Sequence, residues 1–145
     1  VIDLDEFSAL SQEVDGLAVV STVRADATVQ SSLVNVGVLP SPFDRNQVLA
    51  FVTYGKVKLA NLRARPQLAL TARSGWRWCT VEGRAALVGP DDPHDGVDRD
   101  ALRLLLRAIF LAAGGSHDNW AEYDRTMIEQ RRAAVLVTPT RVYGS

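Results

Sequence analysis

The chain has 145 residues, a formal net charge of −1, 47% apolar and 23% charged residues, the composition of one globular domain, and its near-zero charge argues against a general binder of nucleic acid or membrane surfaces. One cysteine, Cys79, excludes an internal disulfide, and the two histidines, His94 and His117, stand too far apart for a metal-ligand pattern. Neither a run of about 18 apolar residues nor a leader-type pattern is present, so a cytoplasmic location without a membrane partner is expected.

Residues 2–16 carry a helix-start pattern: Asp3 as N-cap, Glu6 three residues on, and Ile2 set to staple against Phe7. Leu4, Phe7, Leu10 and Val14 form the stripe to be buried, and Gly16 stops the helix. Residues 17–24 and 28–39 read as two strands joined by a turn at Ala25-Asp26-Ala27. A loop with Pro40, Pro42, Asp44 and Asn46 leads to a strand over 48–54, a short helix over 56–66 and a strand over 67–73. Ser74-Gly75 marks a reversal, and 76–88 is a long β-type stretch in which Gly83 suggests a bulge or a close backbone approach. Residues 89–98 form an acidic surface loop that ends in an N-cap. Its Asp91, Asp92, Asp95 and Asp98 lack the alternation and closing Glu of a calcium loop. Helices are expected over 99–112 and 119–131, the second with Trp120, Tyr123 and Met127 on one face. Residues 133–138 and 141–143 return to β structure, interrupted by Pro139, which suits an edge or a bulge.

Six or seven strands joined mostly by hairpins, with helices at the periphery, predict a mainly β, antiparallel barrel, one domain over residues 1–145. A doubly wound parallel sheet would need alternating helices and a G-x-G-x-x-G after the first strand, and neither is present.

The most informative stretch is 52–66, which holds both lysines of the chain among 16 Lys and Arg residues. Lys is a compact point charge suited to phosphate, whereas Arg presents a planar fork. Lys56 and Lys58 follow a strand and Gly55, at the start of a helix whose N–H groups and dipole also favour an anion. On a helical wheel Lys58, Asn61 and Arg65 share a side, while Lys56 and Arg63 fall away from it. An anion site and a solvated basic helix are both compatible with this pattern. Catalytic side chains are harder to nominate. No G-x-S-x-G occurs, Cys79 sits inside an apparent strand, and neither Glu82 nor Asp26 has a partner carboxylate at a telling distance. Tyr54 and Tyr123 suit rim and core positions, and His117 a cap or loop. An anion cradle without an evident acid, base or nucleophile points to a cofactor that brings its own reactivity.

Three segments together carry a family resemblance: Gly55-Lys56-Val57-Lys58-Leu59-Ala60-Asn61-Leu62 with Pro66; Gly75-Trp76 running into Val81-Glu82-Gly83-Arg84-Ala85; and His117, Trp120, Tyr123, Met127, Arg131-Arg132 with Val142-Tyr143-Gly144. Over nearly its whole length the chain resembles the split β-barrel flavoproteins of the pyridoxamine-phosphate-oxidase-like superfamily. It is most similar to the actinobacterial branch, type B, of oxidoreductases that use the deazaflavin coenzyme F420. The resemblance implies a homodimer with two cofactor sites at the subunit interface and a small-molecule substrate. It implies that Lys56, Lys58 and Asn61 hold the coenzyme's phosphate, that Gln30, Ser32 and Thr53 line its ring or linker, and that Trp76 lies near the cleft. Arg63 and Arg65 would be available to its anionic oligoglutamate tail. The expected reaction is hydride transfer from reduced F420 to an electron-poor conjugated molecule. An FMN-dependent enzyme of the same superfamily and a non-catalytic F420 carrier are the alternatives. The substrate-phosphate motif of Ser and Arg near the C-terminus of pyridoxamine phosphate oxidases has no counterpart in Val142-Tyr143-Gly144-Ser145, which implies against the oxidase reaction.

Overall fold

The structure is a computed structural model that describes residues 3–145. Six strands, β1 (Leu17–Val23), β2 (Val29–Pro40), β3 (Gln47–Thr53), β4 (Gln67–Ser74), β5 (Arg77–Val88) and β6 (Ala133–Gly144), close into a barrel in the order β1-β2-β3-β6-β5-β4. Every neighbouring pair is antiparallel. Closure removes the open edges that a sheet of this size would otherwise present. Four helices lie around it: α1 (Asp5–Glu13), α2 (Lys56–Ala64), α3 (Arg99–Ala112) and α4 (Trp120–Glu129). None is long and apolar enough to cross a membrane. The mainly β antiparallel barrel expected from the sequence is present, with six strands.

Alternation along each strand decides what faces inward. Leu49 and Phe51 of β3 join Val20, Val36, Leu70, Val81, Val135 and Val137 in the barrel interior, to which α1 adds Phe7 and Leu10. The intervening residues Val48 and Ala50, with Ala134 and Leu136 of β6, face outward and are covered by Leu105, Leu106 and Ile109 of α3 and Tyr123 of α4. β3 is therefore buried on both faces and reads as an unbroken apolar run. β1 is different. Ala18, Val20 and Thr22 are buried, while Leu17 and Val19 stay exposed on the outside.

The two outer helices are fastened to each other and to the sheet. Tyr123 donates its hydroxyl to the Leu106 carbonyl at 3.0 Å, and Arg107 forms a two-pronged pair with Asp124. The end of α3 rests on β2 at Gly37, where a Cβ would stand 2.5 Å from the Ala112 carbonyl carbon.

Two expectations change in detail, and a third is met. The first helix is shorter than 2–16: it starts at Asp5, its N-cap is Leu4 without a side-chain cap, and Asp3 instead accepts from the Asp5 N–H at 2.8 Å. Ile2, the expected staple, lies outside the described residues. Residues 133–144 are one strand, because Pro139 sits past the last β3–β6 pair, Leu49↔Val137, where only β5 needs hydrogen bonds. The bulge expected near Gly83 is there, as a register shift between Glu82 and Gly83 that leaves Thr140 of β6 unpaired.

Candidate functional site

β2 changes partner along its length, and that creates the site. Residues 29–35 pair with β1, and residues 36–40 pair with β3. Continued one step further, the β2–β3 register would set Val34 against Thr53 and then Ser32 against Gly55, but pairing stops at Val36↔Phe51. The strands part there, and the chain leaves β3 for α2 through Tyr54 and Gly55. Leu59 and Leu62 seat α2 on the inner core, and Asn61 Nδ2 donates to Thr22 Oγ1 at 3.0 Å. Gly55 has extended dihedrals and no side-chain cap, and its N–H goes to Thr53 Oγ1 at 3.2 Å. The first-turn N–H groups of α2 are thus left without a capping side chain, next to a helix dipole that favours negative charge.

Lys58 is the exceptional group at this end. It is 7% exposed, its Nζ lies 3.4 Å from Thr53 Oγ1 and 5.9 Å from the centre of the Phe51 ring. Among the described residues no carboxylate lies within ion-pair distance of it. Burial alone pushes its pKa below the ordinary lysine value. A buried ammonium held by one long hydroxyl contact and an aromatic face is poorly compensated for its lost hydration. Close by in the same inward row of β2 is a second unmet group: Ser32 Oγ is buried and has no hydrogen-bond partner, the one such side-chain atom among the described residues.

The sequence-predicted residues divide into three sets. Lys58, Asn61 and Thr53 come together, and Gln30 joins them through Thr22, whose hydroxyl donates to Gln30 Oε1 at 3.2 Å. Ser32 lies on the same face of β2 as Gln30, opposite Val20. Lys56 is exposed at the rim, as its place on the helical wheel required. Trp76 stands apart. It is 98% exposed in the β4–β5 turn, and because Ser21 of β1 pairs with Ala69 while Val19 pairs with Thr71, β4 runs away from Thr22 toward that turn. Within one chain Trp76 and Lys58 are therefore at opposite ends of the barrel. Arg63 is committed to Asp92 through two hydrogen bonds of 2.8 and 2.7 Å, and Arg65 Nε donates to the Val23 carbonyl at 2.8 Å. Tyr54 is a rim residue with the Arg132 guanidinium 4.2 Å above its ring centre. Thr22 escaped the sequence reading. Its signal was a lone hydroxyl in the inward row Ala18, Val20, Thr22.

A groove of about 570 Å³ lies elsewhere, between the 89–98 loop, α3 and α4, lined by Val97, Leu102, Leu106 and Met127. Its polar neighbours are largely satisfied: Asp124 by Arg107 and Arg103, Arg131 by Asp91, Asp98 by the Ala101 N–H. Unmet polar groups gather at the Lys58 end, and they are what a ligand would satisfy.

Residues 6–144 match the protein family described as Pyridoxamine 5′-phosphate oxidase. The chain belongs to that family. Solved structures with the same fold include the conserved hypothetical protein Rv2991 from Mycobacterium tuberculosis, 16% identical at a TM-score of 0.68 over 99% of this chain and 84% of that one. An F420 reductase is 19% identical at a TM-score of 0.58, with 88% of each chain covered. A pyridoxamine 5′-phosphate oxidase-related, FMN-binding protein from Nostoc punctiforme is 14% identical at a TM-score of 0.61, over 99% of this chain and 84% of that one. At such identities these likenesses are of fold. The unmet donors at the α2 end of this family member, an ammonium, a hydroxyl and uncapped N–H groups, are of the kind that hold a phosphate.

Proposed function

We propose that the protein is a homodimeric reductase that binds coenzyme F420 and passes a hydride from its reduced form to an electron-poor conjugated small molecule. The observation that carries this reading is the buried Lys58 ammonium without a carboxylate partner. Such a charge is retained at a cost to stability, and an acceptor-only anion such as a phosphate offsets that cost. Lys58 and Asn61, with Lys56 at the rim, hold the phosphate, while Gln30, Ser32 and Thr53 line the ring or its linker. The orphaned Ser32 hydroxyl supports the fit, since a ligand oxygen or nitrogen would give it the partner it lacks.

When bound, the reduced deazaflavin supplies a hydride and two-electron chemistry. The chain's own part is binding, orientation and exclusion of water. Among the described residues no activated nucleophile is at hand: burial pushes the Cys79 thiol up, and the Tyr123 hydroxyl is spent on the Leu106 carbonyl. Solvent provides the proton. A partner subunit is needed in this reading, because Trp76 reaches a cleft at the Lys58 end only from a second copy of the chain. One row of side chains on the outer face, Leu33, Val19, Thr71, Thr80 and Tyr143, runs across five strands without a covering helix, and it is the surface we assign to that copy.

Titration of F420 and of FMN into the purified protein, followed by fluorescence quenching, tests the assignment. Lys58→Ala is expected to weaken binding of whichever cofactor is taken at least about tenfold, the value of one charge-assisted hydrogen bond. Unchanged affinity in that variant would remove the site. The family description and the FMN-binding relative favour FMN as the second reading. In that case the protein would bind FMN in preference and show a flavin spectrum. A carrier would bind F420 and reduce no acceptor.

A further inference from the structure

Thr22 stands between the two halves of the proposed site. It is fully buried, and its hydroxyl makes two hydrogen bonds: it accepts from Asn61 Nδ2 at 3.0 Å and donates to Gln30 Oε1 at 3.2 Å. A hydroxyl has one hydrogen to give, so two amides that share it are held in opposite senses, one donating and one accepting. Which sense prevails is set at the Asn61 end. There Nδ2 donates to the hydroxyl, which leaves the hydroxyl hydrogen free for the other side. Gln30 must then take the hydroxyl hydrogen on Oε1. Its Nε2 has no protein partner among the described residues.

We propose that Thr22 is a positioning residue that fixes the Gln30 amide so that Nε2 is presented to the ligand, and that the site therefore selects a ring bearing a hydrogen-bond acceptor, a carbonyl oxygen or an unprotonated ring nitrogen. This rests on the cofactor reading above and adds to it the polarity required at the ring end. Thr22 itself touches no ligand in this scheme.

The experiment compares FMN or F420, whichever the wild-type protein binds, with its phosphate-free counterpart, riboflavin or the matching 8-hydroxy-5-deazaflavin. Thr22→Val keeps the shape and removes both hydrogen bonds; Thr22→Ser keeps both. Thr22→Val is expected to weaken the phosphorylated and the phosphate-free ligand by the same factor, about tenfold for one misdirected amide, with Thr22→Ser restoring binding to within about threefold. Lys58→Ala, by contrast, weakens only the phosphorylated ligand. NMR of the wild-type side-chain amides gives a readout that needs no variant: the Asn61 Nδ2 protons exchange slowly, while those of Gln30 exchange fast and shift on addition of the phosphate-free ring. If wild-type protein binds neither cofactor, the cofactor reading falls and the relay with it. If it binds and Thr22→Val is unchanged toward both ligands, or the exchange pattern of the two amides is reversed, only the relay falls. Should Thr22→Val not fold, the exchange pattern alone decides.

Discussion

Lys58 carries its charge where burial opposes it, and the direction of its shift has consequences that can be followed with pH. Burial lowers the folded-state pKa below the ordinary 10.5, so between that lowered value and 10.5 the unfolded chain holds a proton that the folded chain has released. Stability on this group's account rises as pH rises through that interval. A bound anion restores the proton affinity, so binding takes up a proton in the same interval and affinity falls as pH climbs through it. Wild-type protein should therefore lose cofactor affinity on the alkaline side, while Lys58→Met should show a weak and flat profile there; parallel profiles for the two would count against a protonated Lys58 as the anion's partner. The same substitution removes a poorly compensated buried charge. Ligand-free Lys58→Met should accordingly unfold about 3 °C higher, roughly 1 kcal/mol more stable, by thermal scan. Lys56 and Lys58 differ by two positions and not at all in chemistry, and only the helical wheel separated them, putting Lys58 with Asn61 and Lys56 away. Thr22 was not legible in this way. Its role depends on a 39-residue separation closed by the fold, and nothing local to a hydroxyl in a strand announces that.

The contact between α3 and the sheet depends on what Gly37 lacks. A methyl group there would sit 2.5 Å from the Ala112 carbonyl carbon and 2.7 Å from the Ala113 nitrogen, both backbone atoms that move only if the helix moves. Gly37→Ala should destabilise the protein by about 1–3 kcal/mol, read as a lower urea midpoint with the m-value kept. The α3–α4 pair has an acid-sensitive fastening as well. Its Asp124 is held below the ordinary carboxylate value, first by its hydrogen bond from Arg107. A depressed carboxyl contributes stability that is present above the unfolded value, 3.8, and is lost as pH falls through the lower folded value. Asp124→Asn should therefore be less stable at neutral pH and converge on wild type in strong acid; equal loss at every pH would mean that the pair contributes shape and not charge. Elements with local stop and start signals were legible. α3 runs from Arg99 to Ala112, as expected, because Asp98 caps it by accepting from the Ala101 N–H and the Gly114-Gly115 pair follows its end. β6 was read as two pieces because a proline interrupts a strand unless the neighbouring strand has already ended, and where β3 ends relative to Pro139 is a property of the closed barrel.

The barrel has two kinds of outer wall, and the difference between them bears on the proposed second copy. Over β3 and β6 the outward residues lie under α3 and α4. Across β2, β1, β4, β5 and β6 the paired residues Leu33, Val19, Thr71, Thr80 and Tyr143 form one row, with Trp78 edge-on to Tyr143 at 6.1 Å. Leu33 and Val19 are exposed on it. Exposed aliphatic side chains at one end of the row and an aromatic pair at the other, about the hydrogen-bonded Thr71 and Thr80, are the kind of surface that a partner covers. The fully exposed Trp76 indole lies at the far end of the barrel from Lys58, so in the proposed dimer it is the second chain's Trp76 that comes to the Lys58 end. Leu33→Arg places an unpaired charge at the β2 end of the row without touching Lys58, Thr53 or Asn61. Under sedimentation the wild type should run as twice the 15.8 kDa chain and the variant as one chain, with circular dichroism unchanged. Because each proposed site is completed by the partner, the variant should also lose cofactor affinity, at least about tenfold, although every residue of its own α2 end is intact. A variant that becomes monomeric yet binds at full strength would confine the site to one chain and leave Trp76 outside it. A wild-type protein that sediments as a single chain while binding normally would remove the second copy from the scheme and leave Lys58, Asn61 and Ser32 to hold the ligand alone.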